Sequence, residues 1–366
     1  MKSYPSLQQV AFLGSFALLL PCAVSCKKSS SHQPGNPPGY ANVNFVGAAY
    51  LSEGRYNFAA AAVDNKILFA GGENGTAGSK TVDVFDATVN SWSTARLSVA
   101  RYWLAGASAG HKTLFAGGTI GSGVNSDTVD IYDAPTNTWT TARLCMARTL
   151  LAAAGAGNKV LFAGGLDNNV NTDTVDIYDA AANKWSTARL CVARAALAAA
   201  AAGNKIVFAG GFTTHASDTV DIYDVSTNQW STARLSAPRY SLSAAAAGNK
   251  ILFAGGSTDL SPFSDVVDIY DVSTNQWSTA HLSHARVYLA GAGVDNKAMF
   301  AGGIGGWVYD KADVYDASSN SWTTVQLSQP MVYHAGAGVN HKIVFGGGTP
   351  DNNTVSSLAD VFMLGN

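Results

Sequence analysis

Short apolar runs alternate with polar turn residues along almost the whole chain. Each run has about five to eight residues and is rich in alanine, β-branched or aromatic residues, which is typical of β-strands bounded by turns. Four kinds of run follow one another in a fixed order, and one stretch of the chain shows them at 197–202, 206–211, 220–224 and 230–234. We name the predicted strands a, b, c and d in this order.

A pair of glycines ends every b run and marks the period of the pattern. The pairs are 46, 47, 46, 45, 47 and 45 residues apart, counted between their first members, Gly71, Gly117, Gly164, Gly210, Gly255, Gly302 and Gly347. A repeat of this length with four strands is typical of propeller blades. The sequence therefore predicts an all-β fold, a seven-bladed propeller of four-stranded blades whose alanine- and glycine-rich strand a lines the crowded axis.

Two aromatic columns accompany the glycine pairs. The column on strand c is Phe85, Tyr132, Tyr178, Tyr223, Tyr270, Tyr315 and Phe362, and the column on strand d is Trp92, Trp139, Trp185, Trp230, Trp277 and Trp322. The order Gly-Gly, Tyr-Asp, Trp resembles the kelch-repeat family over residues 42–366. This resemblance implies a propeller like the central domain of galactose oxidase, here in a chain similar to bacterial kelch-type lipoproteins.

The seventh unit ends at Asn366 with strand c and lacks a strand that contains tryptophan. Residues 45–55 resemble residues 92–101 with one insertion. We therefore expect residues 42–51 to supply the fourth strand of the last blade, so that the two ends of the chain pair and close the ring.

Residues 1–26 resemble an export signal. Lys2 precedes an apolar run at 10–20 that is too short to span a bilayer. Ala23-Val24-Ser25-Cys26 then resembles the bacterial lipobox, whose cysteine becomes the lipidated first residue, and an ordinary secretory signal is the alternative. We expect Cys26 to anchor the protein to the outer membrane of a bacterial cell envelope, facing the periplasm or the cell surface.

The predicted division of the chain is a signal peptide at 1–26, a flexible Ser/Pro/Gly-rich tether at 27–41 and the propeller at 42–366.

The composition fits one globular domain. Hydrophobic residues make up 47% and charged residues 13% of the 366 residues, and closed all-β folds of this length form single domains. The formal net charge of −2, without a long run of basic residues, excludes nucleic acid as a partner class. Only Cys145 and Cys191 lie outside the leader, each where other units carry serine, so we expect unpaired, serine-like thiols.

Length variation is confined to the loop between strands b and c. Trp always lies nine positions after the strand-c Asp, and the next glycine pair begins 25 positions after Trp. The distance from the first Gly to the Asp, in contrast, varies from 11 to 13 positions. In an up-and-down blade the b–c loops and the d–a connections share one end, which we name the b–c/d–a face. Because loops on a rigid scaffold carry function, we expect ligands to bind there, and drift of unconstrained loops is the alternative.

Six arginines stand at the start of strand a on this face, and Met331 takes their place in the seventh unit. They are Arg55, Arg101, Arg148, Arg194, Arg239 and Arg286. Guanidinium groups around a funnel can bind a carboxylate, a sulfate or an acidic peptide through paired hydrogen bonds. The alternative is structural, because Arg is common here in kelch repeats and every unit offers a strand-c aspartate as an internal partner.

The residue two positions after each arginine, or after Met331 in the seventh unit, differs between units. Three units carry an aromatic residue there: Trp103, Tyr288 and Tyr333. With Trp307 and Phe263 in the b–c loops, these aromatics suit stacking on a sugar or packing of the rim. His334 stands in an otherwise apolar column. The candidate ligand-binding residues are the six arginines with Trp103, Tyr288, Trp307, Tyr333 and His334.

No metal site or cofactor is predicted. A histidine site needs ligands that converge from several blades. Asp167-x-Asn169-x-Asn171-x-Asp173 has calcium-loop spacing without the required Gly and Glu, so a solvated turn and calcium both stay open. Galactose oxidase uses a copper site with a Tyr–Cys crosslink on appended elements, and sialidases need Asp-box repeats, and neither feature is found in this sequence.

The sequence favours a noncatalytic, monomeric binding module for a glycan or a protein. Two alternatives stay open: a carbohydrate-active enzyme, such as a sialic acid mutarotase or lyase using the same funnel, and a structural surface protein of recently duplicated blades. A polar pocket with a carboxylate or histidine of shifted pKa favours the enzyme. Uniformly small funnel residues favour the structural protein.

Overall fold

The computed structural model describes residues 43–351 and 353–365. The predicted signal peptide, the tether and the lipidation residue Cys26 lie outside the described residues and stay predictions. Within the described part of the chain, no helix is both long and apolar enough to span a membrane.

Seven antiparallel four-stranded sheets form the ring, and this confirms the predicted all-β, seven-bladed fold. Strands a to d of blade 1 are Ala59–Val63, Lys66–Ala70, Thr81–Asp86 and Ser91–Arg96. Those of blade 2 are Ala105–Ala109, Lys112–Ala116, Thr128–Asp133 and Thr138–Arg143. Those of blade 3 are Ala152–Ala156, Lys159–Ala163, Thr174–Asp179 and Lys184–Arg189. Strands a to d of blade 4 are Ala198–Ala202, Lys205–Ala209, Thr219–Asp224 and Gln229–Arg234. Those of blade 5 are Ser243–Ala247, Lys250–Ala254, Val266–Asp271 and Gln276–His281. Those of blade 6 are Ala290–Val294, Lys297–Ala301, Lys311–Asp316 and Ser321–Gln326. Blade 7 contains Ala335–Val339, Lys342–Gly346, Leu358–Leu364 and, from the N-terminal side, Val43–Tyr50.

Two b–c loops carry small elements of their own. In blade 2, Thr119–Ile120 pairs with Val124–Asn125 around a 3₁₀ turn at Gly121–Gly123, and in blade 3, Leu166–Asp167 pairs with Val170–Asn171. Both hairpins stand on the b–c/d–a face, where the sequence varies in length.

Side-chain size sorts the strands from the axis outward. Strands a of neighbouring blades contact one another around the axis, and a Cβ atom at Gly155 of blade 3 would collide with the backbone carbonyl of Ser108 in blade 2. Larger side chains fill the space between blades, as where Leu114 of blade 2 packs in one cluster with Phe162 and Tyr178 of blade 3. Each blade is thus stabilised mainly by stacking on its neighbours.

The N-terminal strand closes the ring as the sequence predicted. It pairs antiparallel with strand c of blade 7, from Val43 opposite Leu364 to Tyr50 opposite Leu358. Phe45 lies opposite Phe362, with ring centroids 5.7 Å apart, and takes the place that tryptophan has in the other blades. A bulge between Phe45 and Gly47 accommodates the one inserted residue.

The end of the propeller opposite the b–c/d–a face is built from nearly identical turns. Each c–d turn holds an asparagine in the left-handed region, at φ of +52° to +58°, and these residues are Asn90, Asn137, Asn183, Asn228, Asn275 and Asn320. In five blades the strand-c tyrosine donates its hydroxyl to that asparagine, over 2.6 to 3.0 Å. An inserted residue would break this hydrogen bond, so the constant spacing has a structural cause.

Candidate functional site

A funnel of about 900 Å³ opens at the b–c/d–a face. Its wall is formed by the d–a connections just before each strand a, and its rim by the b–c loops of blades 1, 5, 6 and 7. The funnel therefore lies on the face that variable loop length indicated.

The wall contains a ring of seven residues in the left-handed backbone region. They lie two residues beyond each arginine position, at φ of +51° to +57°, and they are Asn57, Trp103, Leu150, Ala196, Ser241, Tyr288 and Tyr333. A non-glycine residue in this region costs about 1 to 3 kcal/mol. Backbone hydrogen bonds between neighbouring blades explain why these residues adopt the left-handed conformation. In four cases the N–H of one residue of the ring donates to the carbonyl oxygen of the ring residue in the neighbouring blade, over 2.9 to 3.0 Å: Asn57 to Tyr333, Trp103 to Asn57, Ala196 to Leu150 and Ser241 to Ala196.

Aromatic side chains cover much of this wall. Tyr288 and Tyr333, from two neighbouring blades, pack with their rings tilted by 41° and the ring centroids 4.7 Å apart, and burial raises the pKa of both hydroxyls. Tyr102 and Trp103 meet edge to face at 5.0 Å. Tyr240 lines the opposite part of the funnel. These rings present apolar faces with hydroxyl groups at their ends, a surface suited to binding by stacking and hydrogen bonding.

Glu73 is the one acidic or basic residue among the described residues that line the funnel, apart from His334. It follows the glycine pair of blade 1 and accepts hydrogen bonds from the Tyr56 hydroxyl at 3.4 Å and the Asn57 amide at 3.2 Å. Burial raises the pKa of Glu73 above its usual value, although these two donors act in the opposite direction. The funnel thus carries a half-buried carboxylate held by neutral partners.

The floor of the funnel is a ring of buried side chains that point from each blade onto the glycine pair of the preceding blade. Six of the seven are apolar: Phe58, Leu104, Leu151, Leu197, Leu242 and Leu289. The seventh is His334, which is 7% exposed and has no hydrogen-bond partner for either ring nitrogen. Burial, with the nearby Arg286 charge as a smaller cause, lowers the pKa of His334 to about 3.

We expect His334→Leu to stabilise the protein by about 1 to 3 kcal/mol, because an unsatisfied buried polar group costs about that much and five other blades already carry leucine there. The folded state holds His334 neutral and the unfolded chain does not, so the histidine becomes more destabilising as the pH falls below 6.5 toward 3. Urea unfolding at about pH 7.5 and about pH 5 measures both effects, and the gain should be larger at the lower pH. The reverse change, Leu289→His, serves as the control and should destabilise. Equal stability of His334→Leu and the natural protein at both pH values would contradict this interpretation.

The six arginines do not line the funnel. Their side chains are 0% exposed, and each forms an ion pair inside its own blade with the strand-c aspartate: Arg55–Asp83, Arg101–Asp130, Arg148–Asp176, Arg194–Asp221, Arg239–Asp268 and Arg286–Asp313. Arg239 also donates to the backbone carbonyls of Gly255 and Val266, both at 2.7 Å. Of the two roles considered for these arginines, the geometry supports the internal one, because no guanidinium group is left for an anion in the funnel.

Blade 7 lacks this arginine, and other groups stabilise its strand-c aspartate. Met331 fills the position, fully buried, and the strand-c carboxylate of Asp360 is instead bonded by the backbone N–H and the hydroxyl of Ser328. Burial without a cationic partner raises the pKa of Asp360. The same loop residue binds the aspartate in other blades, for example Cys145 N–H to Asp176 at 2.9 Å. Cys145 and Cys191 are unpaired and exposed, in keeping with their serine-like interpretation.

The structure brings together four of the sequence-predicted site residues. Trp103, Tyr288, Tyr333 and His334 line the funnel, as does Phe263. Trp307 stands outside it on the blade 6 loop, 65% exposed and 5.5 Å from the ring of Tyr309. In the segment with calcium-loop spacing at 167–173, Asp173 forms an ion pair with Arg189 at 2.8 Å. No group of three candidate metal ligands occurs among the described residues.

Sequence reasoning missed Tyr56, Tyr102, Tyr240 and Glu73. The three tyrosines directly follow an arginine, a pattern that was visible in three units. Strand alternation predicts that these tyrosines point away from the face of their neighbours, but the left-handed residue that follows each one breaks that alternation and lets them line the funnel.

One comparison with known proteins identifies related sequences. The family model described as the KLHDC2/KLHL20/DRC7 Kelch-repeats domain matches residues 57–237 and, in an overlapping second match, residues 151–348. No curated protein matches the chain. The two matches together span most of the propeller.

Proposed function

Because this chain belongs to the kelch-repeat family, whose propellers generally mediate protein interactions, we propose that it is a noncatalytic binding module whose ligand, a protein or a glycan, enters the funnel of the b–c/d–a face. The observation that carries the proposal is the wall of the funnel. Tyr102, Trp103, Tyr240, Tyr288 and Tyr333 surround an open cavity of about 900 Å³. Such large, rigid, amphipathic side chains dominate binding surfaces.

Burial raises the pKa of Glu73 and lowers that of His334, and shifted groups of this kind in a pocket are the feature that favours an enzyme. The way in which these two groups are held nevertheless favours binding over catalysis. A catalytic base is held by a hydrogen bond to an orienting group, but neither ring nitrogen of His334 has a partner among the described residues. Glu73 is held by Tyr56 and Asn57, not by a second acid or base. The large aromatic wall residues also differ from the uniformly small ones that a purely structural propeller would carry.

The proposal is tested by screening the purified full chain against a glycan array and a displayed peptide library, and then comparing two tryptophan variants on every ligand found. Trp103→Ala should weaken binding at least about tenfold, because truncating an aromatic anchor costs about 2 kcal/mol or more. The variant should fold normally, since Ala196 occupies the same left-handed position in blade 4. Circular dichroism and thermal unfolding would check this.

Trp307→Ala is the matched control, because Trp307 lies on the same face but outside the funnel. Binding should be unchanged in this variant and in Lys205→Ala, which alters the opposite end. The proposal would be refuted by ligands that bind Trp103→Ala as tightly as the natural protein but lose affinity for Lys205→Ala. Such ligands would bind at the end of the propeller opposite the b–c/d–a face.

A further inference from the structure

We propose that the ligand is a protein that inserts a basic side chain, lysine or arginine, into the funnel and places its charge beside Glu73. This inference rests on the proposed function and specifies the chemistry of that same site. The site consists of Glu73, Tyr56, Asn57 and Tyr102, where blades 1 and 2 meet.

Glu73 lacks the cationic partner that most acidic groups of the blades have. Six of the strand-c aspartates pair with buried arginines, aspartates before the c–d turns pair with lysines, and Glu53 lies 3.8 Å from Arg55. Asp360, the strand-c aspartate without a cation, is bonded by Ser328 inside blade 7 and does not line the funnel. Glu73 has only the neutral donors Tyr56 and Asn57, and no cation contributes to its pKa. Because burial disfavours its ionised form, a cation that enters the funnel would offset that penalty.

Aromatic rings reinforce this preference. The Tyr56 hydroxyl contacts the Glu73 carboxylate at 3.4 Å. The Tyr102 ring packs beside Gly78, the backbone bridge partner of Glu73, and the pKa of Tyr102 is raised by burial and, to a smaller extent, by the Glu73 charge. Trp103 stands beside Tyr102, with their ring centroids 5.0 Å apart. A carboxylate among tyrosine and tryptophan faces is a favourable environment for an ammonium or guanidinium group, which gains both an ion pair and cation–π attraction.

The floor of the funnel distinguishes a basic side chain from an amino sugar. Phe58 packs against Gly72, directly before Glu73, and Leu104 follows in the ring of buried apolar side chains. A lysine or arginine side chain has an apolar stem that can cover such a surface while its charged end reaches a polar partner. An amino sugar would bury hydroxyl groups against this floor without partners, which is unfavourable.

Isothermal titration calorimetry on the full chain tests the proposal with three blocked pentapeptides that differ only in a central lysine, arginine or norleucine, and with glucosamine. We expect the lysine and arginine peptides to bind and the norleucine peptide, which keeps the apolar stem of lysine but lacks its ammonium group, to bind at least about tenfold more weakly. Glu73→Gln should reduce affinity for the basic peptides by about tenfold or more without affecting the norleucine peptide. Glu73→Thr, which copies Thr119 of blade 2, should have the same effect, so a folding defect specific to one variant is detected.

Asp167→Asn is the matched control, because Asp167 is an acid on another b–c loop that does not line the funnel. It should leave peptide affinity unchanged. Equal binding of norleucine and lysine peptides, full lysine affinity in Glu73→Gln, binding of glucosamine alone, or no binding of any probe would overturn the inference. Each of these results leaves the proposed function standing if Trp103→Ala still weakens binding of a ligand from the screens by about tenfold or more while Trp307→Ala and Lys205→Ala do not.

Discussion

Deleting residues 43–52 will destabilise the propeller by about 5 kcal/mol or more, because it opens the ring. The deletion removes the strand that covers the edge of blade 7, and it removes Leu51, which is 3% exposed in a cluster with Phe69 of blade 1 and Val344 of blade 7. Loss of a buried leucine side chain alone costs about 2 to 5 kcal/mol. The hydrogen bond from Ser52 N–H to Asp83, 2.8 Å long, is lost as well.

Thermal and urea unfolding of the deletion variant beside the natural protein measure this effect. The exposed edge of Leu358–Leu364 should also promote self-association, visible by light scattering, because an unpaired strand edge is a template for pairing. Tyr50→Ala is the control: Tyr50 lies in the same strand but is 69% exposed, so it should change stability by less than about 0.5 kcal/mol. An unfolding curve that the deletion leaves unchanged would show that the ring does not depend on this strand.

Replacing Arg239 by methionine is expected to cost about 3 to 5 kcal/mol, because it leaves the buried carboxylate of Asp268 without its cation. The side chain is 0% exposed, and its hydrogen bonds to Gly255 and Val266 are lost with it. Blade 7 carries methionine at this position naturally, so the variant should still fold and the cost can be measured by urea unfolding.

Two further variants separate charge from packing. Asp268→Asn in the Arg239→Met background removes the uncompensated charge and should recover part of the lost stability, as a double-mutant cycle would show. Arg234→Met is the matched control, since Arg234 pairs with Asp218 at 2.7 Å but is 75% exposed, and an exposed pair is worth about 1 kcal/mol or less. If Arg239→Met costs no more than Arg234→Met, the buried arginines do not stabilise the blades in the way inferred here.

The repeats themselves supply these comparisons. Methionine at 331, alanine at 196 and leucine at 289 each show that the shared backbone accepts the residue introduced elsewhere. A substitution that copies a neighbouring blade therefore changes one interaction while the local conformation is kept. For this reason, losses of binding or stability in these variants can be assigned to the side chain that was removed.

The sequence by itself determined the period, the four strands of each blade, the closing strand with its inserted residue and the face that carries the funnel. These follow from local rules: turn residues bound short apolar runs, and equal spacing implies equal units. The invariant c–d turns do not by themselves show that the opposite face lacks function, however. The Tyr178 hydroxyl bonded to Asn183, and its equivalents, fix the length of those turns for structural reasons.

Only the tertiary structure decided which side chains enter the funnel. Arg101 is adjacent in sequence to Tyr102, yet it turns into the blade because Asp130, 29 residues away, supplies a buried partner. The left-handed backbone at Trp103 depends on a hydrogen bond to the neighbouring blade, and it breaks the alternation on which strand patterns rely. Glu73 becomes a binding candidate only because blade 2 adds Tyr102 and Trp103 to the same part of the funnel. Each of these outcomes arises from contacts between segments that are distant in sequence, and no local pattern of residues contains them.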